Sequence, residues 1–170
     1  MDPVTTPRLR LREFTLDDAG FVLRLLNEPS FIANIADRGV RSIPDAERYL
    51  ADGPMASYAR HGFGLWMVEL LDTDTPAGMC GLIRREGLAD ADIGYAFVPE
   101  HWGAGFAREA AAATLALARQ RFGLERVVAI VSPGNARSVR VLEHLGFADE
   151  GMIRLKDDGE PLRFFGVSPG

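Results

Sequence analysis

Pro99-Glu100-His101-Trp102-Gly103-Ala104-Gly105-Phe106-Ala107-Arg108-Glu109 is the stretch on which the reading of this chain turns. It follows a short strand-like run, Asp92-Ile93-Gly94-Tyr95-Ala96-Phe97-Val98, that ends at Pro99. After it the period changes. The alanine-rich segment Phe106 to Phe122, stopped by Gly123, predicts a long helix. A strand joined to a helix through a glycine loop leaves several backbone N–H groups unpaired at the helix start. The macrodipole adds roughly half a positive charge there, so the junction suits a phosphate or pyrophosphate. Gly103 and Gly105 permit positive φ and a close approach of backbone to an anion. The loop lacks the Lys-Ser/Thr ending of a nucleotide P-loop and is too short for a dinucleotide G-x-G-x-x-G. Taken alone, the two glycines are equally well explained as a tight turn.

Working outward, Arg8 to Phe14 alternates charged and apolar residues, the pattern of a half-buried strand. Thr15-Leu16-Asp17-Asp18 starts a helix running to about Asn27, which Pro29 closes. A second helix enters at Ser42 to Glu47 and runs to about Arg60, with a break or restart expected at Gly53-Pro54. Gly64–Leu71 and Ala77–Arg85 read as the two strands of a hairpin. Beyond the long helix, Arg126–Val131 reads as a central strand buried on both faces, and Asn135–Leu145 as a helix ended by Gly146. Two closing strands, Phe147–Leu155 and Leu162–Val167, flank the polar loop Lys156 to Glu160. The order β-α-α-β-β-β-α-β-α-β-β predicts one mixed α/β sheet of about seven strands with about four helices on its faces.

Composition narrows the function classes. The 170 residues predict a single domain over 1–170. Nineteen Lys and Arg against 24 Asp and Glu give a net charge of −5, which disfavours nucleic acid as the main partner. Cys80 is the only cysteine, so no intrachain disulfide forms and zinc held by several thiolates is excluded. His61, His101 and His144 show no ligand spacing, and no metal is expected. Met1 to Pro7 carries no signal-peptide pattern, and no run of about 18 apolar residues appears. A cytoplasmic protein without a membrane span is therefore expected.

A second constellation is Asn135-Ala136-Arg137-Ser138-Val139-Arg140-Val141-Leu142-Glu143-His144-Leu145-Gly146-Phe147. By itself it reads as an amphipathic helix capped by Asn135. Together with Thr6-Pro7-Arg8-Leu9-Arg10-Leu11-Arg12, Asp92-Ile93-Gly94-Tyr95 and the glycine loop, however, it resembles the GNAT superfamily of acetyl-CoA-dependent N-acetyltransferases. The likeness is to the branch that acetylates the N-termini of ribosomal proteins (RimJ/RimL-like), and it reaches from near the start to about Gly151.

The resemblance implies a mostly antiparallel, twisted sheet and acetyl-CoA as cosubstrate. The family's Gln/Arg-x-x-Gly-x-Gly/Ala loop places Trp102 first, with Gly105 and Ala107 at the small positions. It implies that backbone N–H groups of Trp102, Gly103, Ala104, Gly105, Phe106, Ala107 and Arg108 hold the pyrophosphate. Pantetheine then pairs with backbone near Phe97 and Val98, and Asn135 contacts its arm. Many members carry a tyrosine four residues before the Gly-Phe pair as the thiolate's proton source. Here that position is Leu142, and Ser138 is the substitute the resemblance offers. For the base it offers Asp92, which could equally be an outward strand carboxylate, and Glu160. The acceptor region falls at Asn27 to Arg41, with Phe31 and Arg38, and at the loop with Asp157, Asp158 and Glu160, whose charge would favour a cationic amine. A solvated turn explains those acids as well.

The implied reaction is direct attack of a primary amine, either a protein N-terminal amine or a small-molecule amine, on the thioester. The alternative is a non-catalytic acetyl-CoA-binding sensor or regulatory module, consistent with the absent tyrosine. Trp66 and Cys80 read as core, and a homodimer would be ordinary for such a relative.

Overall fold

In the computed structural model, which describes residues 1–170, eight strands hydrogen-bond into one sheet. They are β1 (Val4–Thr5), β2 (Leu9–Arg12), β3 (Leu65–Leu70), β4 (Pro76–Ile83), β5 (Asp92–Phe97), β6 (Val127–Val131), β7 (Ala148–Ile153) and β8 (Leu162–Val167). Their spatial order is β1-β2-β3-β4-β5-β6-β8-β7, and only β5 and β6 run parallel. The helices are α1 (Ala19–Leu26), α2 (Pro29–Asn34), α3 (Ile43–Leu50), α4 (Ala56–His61), α5 (Phe106–Gln120) and α6 (Ala136–His144). This is the mixed, mostly antiparallel sheet expected. The strand beyond seven is β1, whose Val4 and Thr5 pair with Leu11 and Arg10.

Two local expectations need correction. Pro29 does more than close α1: it opens α2 from an early helical position, where its preset φ fits and its missing N–H costs nothing. Gly53-Pro54 does not break the second helix either. A wide π-helical turn over Ala51–Met55 absorbs Pro54 and carries α3 directly into α4.

Alternation decides which residues meet which helices. On the back face of the sheet, Leu9, Trp66, Ile93, Ala129 and Phe165 pack under α5 and α6. On the front face, Met67, Met79 and Val98 pack with α1 and α3 through Val22, Leu26 and Leu50. Cys80 and Trp66 are core residues, as read from the sequence. Arg10 and Arg12, the charged half of the β2 alternation, are held in front by Glu69, and Asp18 joins them through Arg12 at 2.9 Å.

The feature that positions the site is a divergence. β5 pairs with β4 along its whole length, from Asp92 with Ile83 to Phe97 with Gly78. With β6 it shares a single register pair, Asp92 with Val128. β6 turns its other edge to β8 and pairs there from Val127 to Val131. Past Asp92 the two parallel strands part, and a wedge opens toward Val98 on one side and Val131 on the other.

Candidate active site

Backbone valences along β5 show what faces the wedge. Val128 N–H donates to Ala91 C=O at 3.0 Å, whereas Val98 N–H donates to Ala77 C=O at 3.0 Å. Odd-numbered residues of this strand therefore present their backbone groups toward β6 and even-numbered ones toward β4. Beyond the last pair with β6, the amides of Tyr95 and Phe97 face the opening. Phe97 C=O is engaged by the Trp102 indole N–H at 2.8 Å, so it is the Phe97 N–H that stays available. The expectation for Val98 needs correction, because its N–H is taken by Ala77 and its C=O accepts from His101 N–H at 3.0 Å. Val98 instead anchors the front core.

At the mouth of the wedge, Pro99–His101 form a 3-10 turn and Trp102 leads into the glycine loop. Trp102 N–H donates back to Pro99 C=O at 3.1 Å, so the open run of amides begins one residue later than expected, at Gly103. The first α5 amide with a backbone acceptor is that of Glu109, bonded to Gly105 C=O at 3.0 Å. Amides from Gly103 to Arg108 thus have no backbone acceptor in the chain. Gly103 and Gly105 have φ of +80° and +82°, the left-handed region that glycine adopts without strain.

Side chains brace this loop from both flanks. Arg8 donates to Ala104 C=O at 2.8 Å and to Glu109 at 2.7 Å, and its guanidinium lies 4.6 Å from the Phe106 ring centroid. Although burial pushes Glu109 up, the Thr6 hydroxyl and Arg8 hold its carboxyl below the usual range. On the other flank, the Arg137 guanidinium stacks 3.9 Å from the Trp102 ring centroid. A diphosphate fits this junction: unpaired amides, two left-handed glycines without a Cβ, and an open wedge beside them. Neither Gly103 nor Gly105 has a neighbour that would crowd an added Cβ, so the loop is open on its outer side.

Across the wedge, Asn135 caps α6 by accepting from Ser138 N–H at 3.2 Å, which leaves its amide NH2 for a ligand. Leu142 is fully buried core. Ser138 Oγ lies 2.7 Å from the hydroxyl of Tyr95, which reaches over from β5. No role follows for Tyr95 from the sequence. The two residues are 43 apart in the chain, and only the Gly-Tyr pair after Asp92 marked the position.

At the closed end of the wedge the two candidate bases differ. Asp92 points to the front face and is 1% exposed, so it is not an outward strand carboxylate; Asp90, in the bend before β5, is half-exposed and pairs with Arg126 at 3.2 Å. Burial pushes Asp92 up to about 6, against the attraction of Arg85 at 3.4 Å. Its Oδ1 and the Nε of Arg85 are both buried without a partner. Glu160 is exposed at the end of the β7–β8 loop, near the open end, where Arg163 pairs with Val131. Phe31 is corrected: at 4% exposed it fills the front core rather than lining a groove. The front side is not uniformly acidic. A cavity of about 430 Å³ there is lined by Arg38 and Arg48 as well as Asp45 and Asp52. No group of three or more His, Cys, Asp or Glu is placed to hold a metal.

Comparison with known proteins supplies a family for this fold. The family model described as an acetyltransferase (GNAT) domain matches residues 8–148. Bacillus licheniformis p20, an uncharacterized N-acetyltransferase, is 30% identical over 159 residues, 91% of this chain and 86% of its own. A shorter match to YkkB of Bacillus subtilis is 35% identical over 96 residues and spans 55% of this chain and 56% of that one. Among solved structures, RimL, a ribosomal L7/L12 alpha-N-protein acetyltransferase in complex with coenzyme A, superimposes with a TM-score of 0.83. Its identity is 16% and 98% of each chain is covered, so the likeness is one of fold.

Proposed function

This chain belongs to the GNAT acetyltransferase family, and from that premise we propose that it transfers an acetyl group from acetyl-CoA to a primary amine. The observation that carries this reading is the opening between β5 and β6 beside the unpaired amides of Gly103 to Arg108. One domain over residues 1–170 does the work, in the cytoplasm. No helix of the chain is long and apolar enough to cross a membrane.

Acetyl-CoA supplies an activated thioester and a thiol leaving group. The chain's own contribution is placement. Amides of Gly103 to Arg108, with the side chain of Arg108, hold the diphosphate by charge-assisted hydrogen bonds. Asn135 Nδ2 and the backbone of Phe97 hold the pantetheine arm. Phe97 N–H is aimed where the carbonyl oxygen gains charge during attack. Ser138 Oγ–H donates a hydrogen bond to the departing sulfur as the carbon–nitrogen bond forms and the carbon–sulfur bond breaks, and the thiolate then takes its proton from water. The amine gives up its own proton to water, and Asp92, five residues back along β5 from Phe97, accepts it through a relay of waters. With a pKa of about 6, Asp92 is ionised at neutral pH and close enough to neutrality to act as a base. Reaching it requires the Arg85 contact to open. Glu160, at the other end, meets the acceptor as it enters.

The acceptor is a small-molecule or peptide amine. Release of CoA thiol in the presence of a panel of N-terminal peptides and small amines tests the reading, with turnover on at least one as the expected result. Tight acetyl-CoA binding without turnover on any of them would overturn the enzyme in favour of a binding module.

A further inference from the structure

We propose that Tyr95 is a positioning residue that sets the direction of the Ser138 hydroxyl proton. The inference rests on Ser138 acting as donor at the sulfur. The hydroxyls of Tyr95 and Ser138 are 2.7 Å apart, and Tyr95 Oη is also 3.1 Å from Ser138 C=O. The carbonyl can only accept, so Tyr95 O–H is the donor on this side, and its one proton is shared between Ser138 C=O and the nearer Ser138 Oγ, the phenol being the better donor of the two hydroxyls.

That direction has a consequence for the single Ser138 proton. In that arrangement Ser138 Oγ only accepts from Tyr95, and since it makes no other hydrogen bond in the chain its own O–H is turned, at a half-buried position, to the wedge. Without Tyr95, a serine in the first turn of a helix has its own backbone to turn to. With Tyr95 donating, the oxygen is held from the β5 side and its O–H is polarised toward whatever enters between β5 and α6. Burial raises the Tyr95 phenol well above its ordinary range, so it stays protonated and keeps donating wherever the enzyme works. The phenol therefore comes from the strand side of the wedge in a chain whose last helix carries Leu142 where a tyrosine could have stood.

The test is a double-mutant cycle of Tyr95→Phe and Ser138→Ala with two readouts. The first is the thiol pKa of enzyme-bound CoA, followed by thiolate absorbance, which needs no acceptor. The second is kcat and KM for acetyl-CoA on any amine that turns over. Tyr95→Phe should raise the bound-thiol pKa and lower kcat about 10-fold with KM nearly unchanged, the size of one lost hydrogen bond to a charged group. In the Ser138→Ala background the same substitution should change neither. Equal effects of Tyr95→Phe in both backgrounds, or none in either, would overturn the proposal while leaving Ser138 as donor. A native thiol pKa in Ser138→Ala alone would remove the donor and the proposal together. Loss of CoA binding by the unaltered chain would instead strike the function reading.

Discussion

The two ends of β5 are a few residues apart and behave as different materials. At Asp92 the strand has neighbours on both edges, the side chain is buried against Arg85, and the carboxyl is forced up to about 6. At Phe97 one edge is paired and the other is open, and the chain turns into two left-handed glycines and a helix start. The closed end carries the electrostatic cost of a buried charge. The open end carries unpaired backbone. A parallel pair that shares one register position lets a single strand do both, since its crossover helix α5 need not follow the partner strand.

Substitutions at each end can sharpen or break this contrast. The largest effect is expected at the closed end. A carboxyl whose folded pKa lies near 6 rather than the ordinary 3.8 binds a proton more tightly in the folded chain. Its favourable contribution is therefore full below about pH 4 and lost as pH rises through 6, a swing of roughly 3 kcal/mol. Asp92→Asn should abolish that part of the pH dependence. Denaturant midpoints at acid and neutral pH check it, and parallel profiles for the two proteins would mean that Asp92 does not titrate in this range.

At the open end, Gly105→Val places a β-branched residue at φ +82°. Strain of ~1–2 kcal/mol, together with a side chain beside the loop amides, should weaken acetyl-CoA binding about 100-fold. Calorimetry that finds native affinity would disconnect the loop from phosphate. Between the two, Ser138→Ala should lower kcat roughly 30-fold, in the range of a hydrogen bond to developing charge. Steady-state rates on a working acceptor decide it. The smallest effect belongs to Arg137→Ala, which removes the stack on Trp102 and should cost about threefold in acetyl-CoA affinity, a half-exposed cation–π contact. A loss beyond tenfold would mean that Arg137 itself binds the ligand.

The loop was the most legible part of the site, and for a physical reason. Gly103, Gly105 and the start of α5 are neighbours in the chain, so their conformation follows from local sterics. Valences were harder to read. Whether Val98 N–H is free depends on its pairing with Ala77 across β4, and whether Trp102 N–H is free depends on the 3-10 turn at Pro99. Phe31 is apolar and in the right segment for an acceptor pocket, but the turn of α2 rotates it into the front core. Asp92 could be recognised as a strand carboxylate at a telling position. Arg85 is only seven residues away, but the burial of Asp92 comes from the front packing of elements distant in the chain, which no short window contains.

By itself the sequence determined the element types, their order, the glycine loop and the family likeness, all carried by spacing and side-chain chemistry over a few residues. Tertiary structure alone decided that β5 and β6 part after one pair, that Tyr95 meets Ser138, and that Arg8 and Glu109, 101 residues apart, brace the loop. Periodicity and propensity act along the chain. The wedge and its hydroxyl pair depend on sheet order and register, which bring distant residues within hydrogen-bond reach only once the whole sheet has formed.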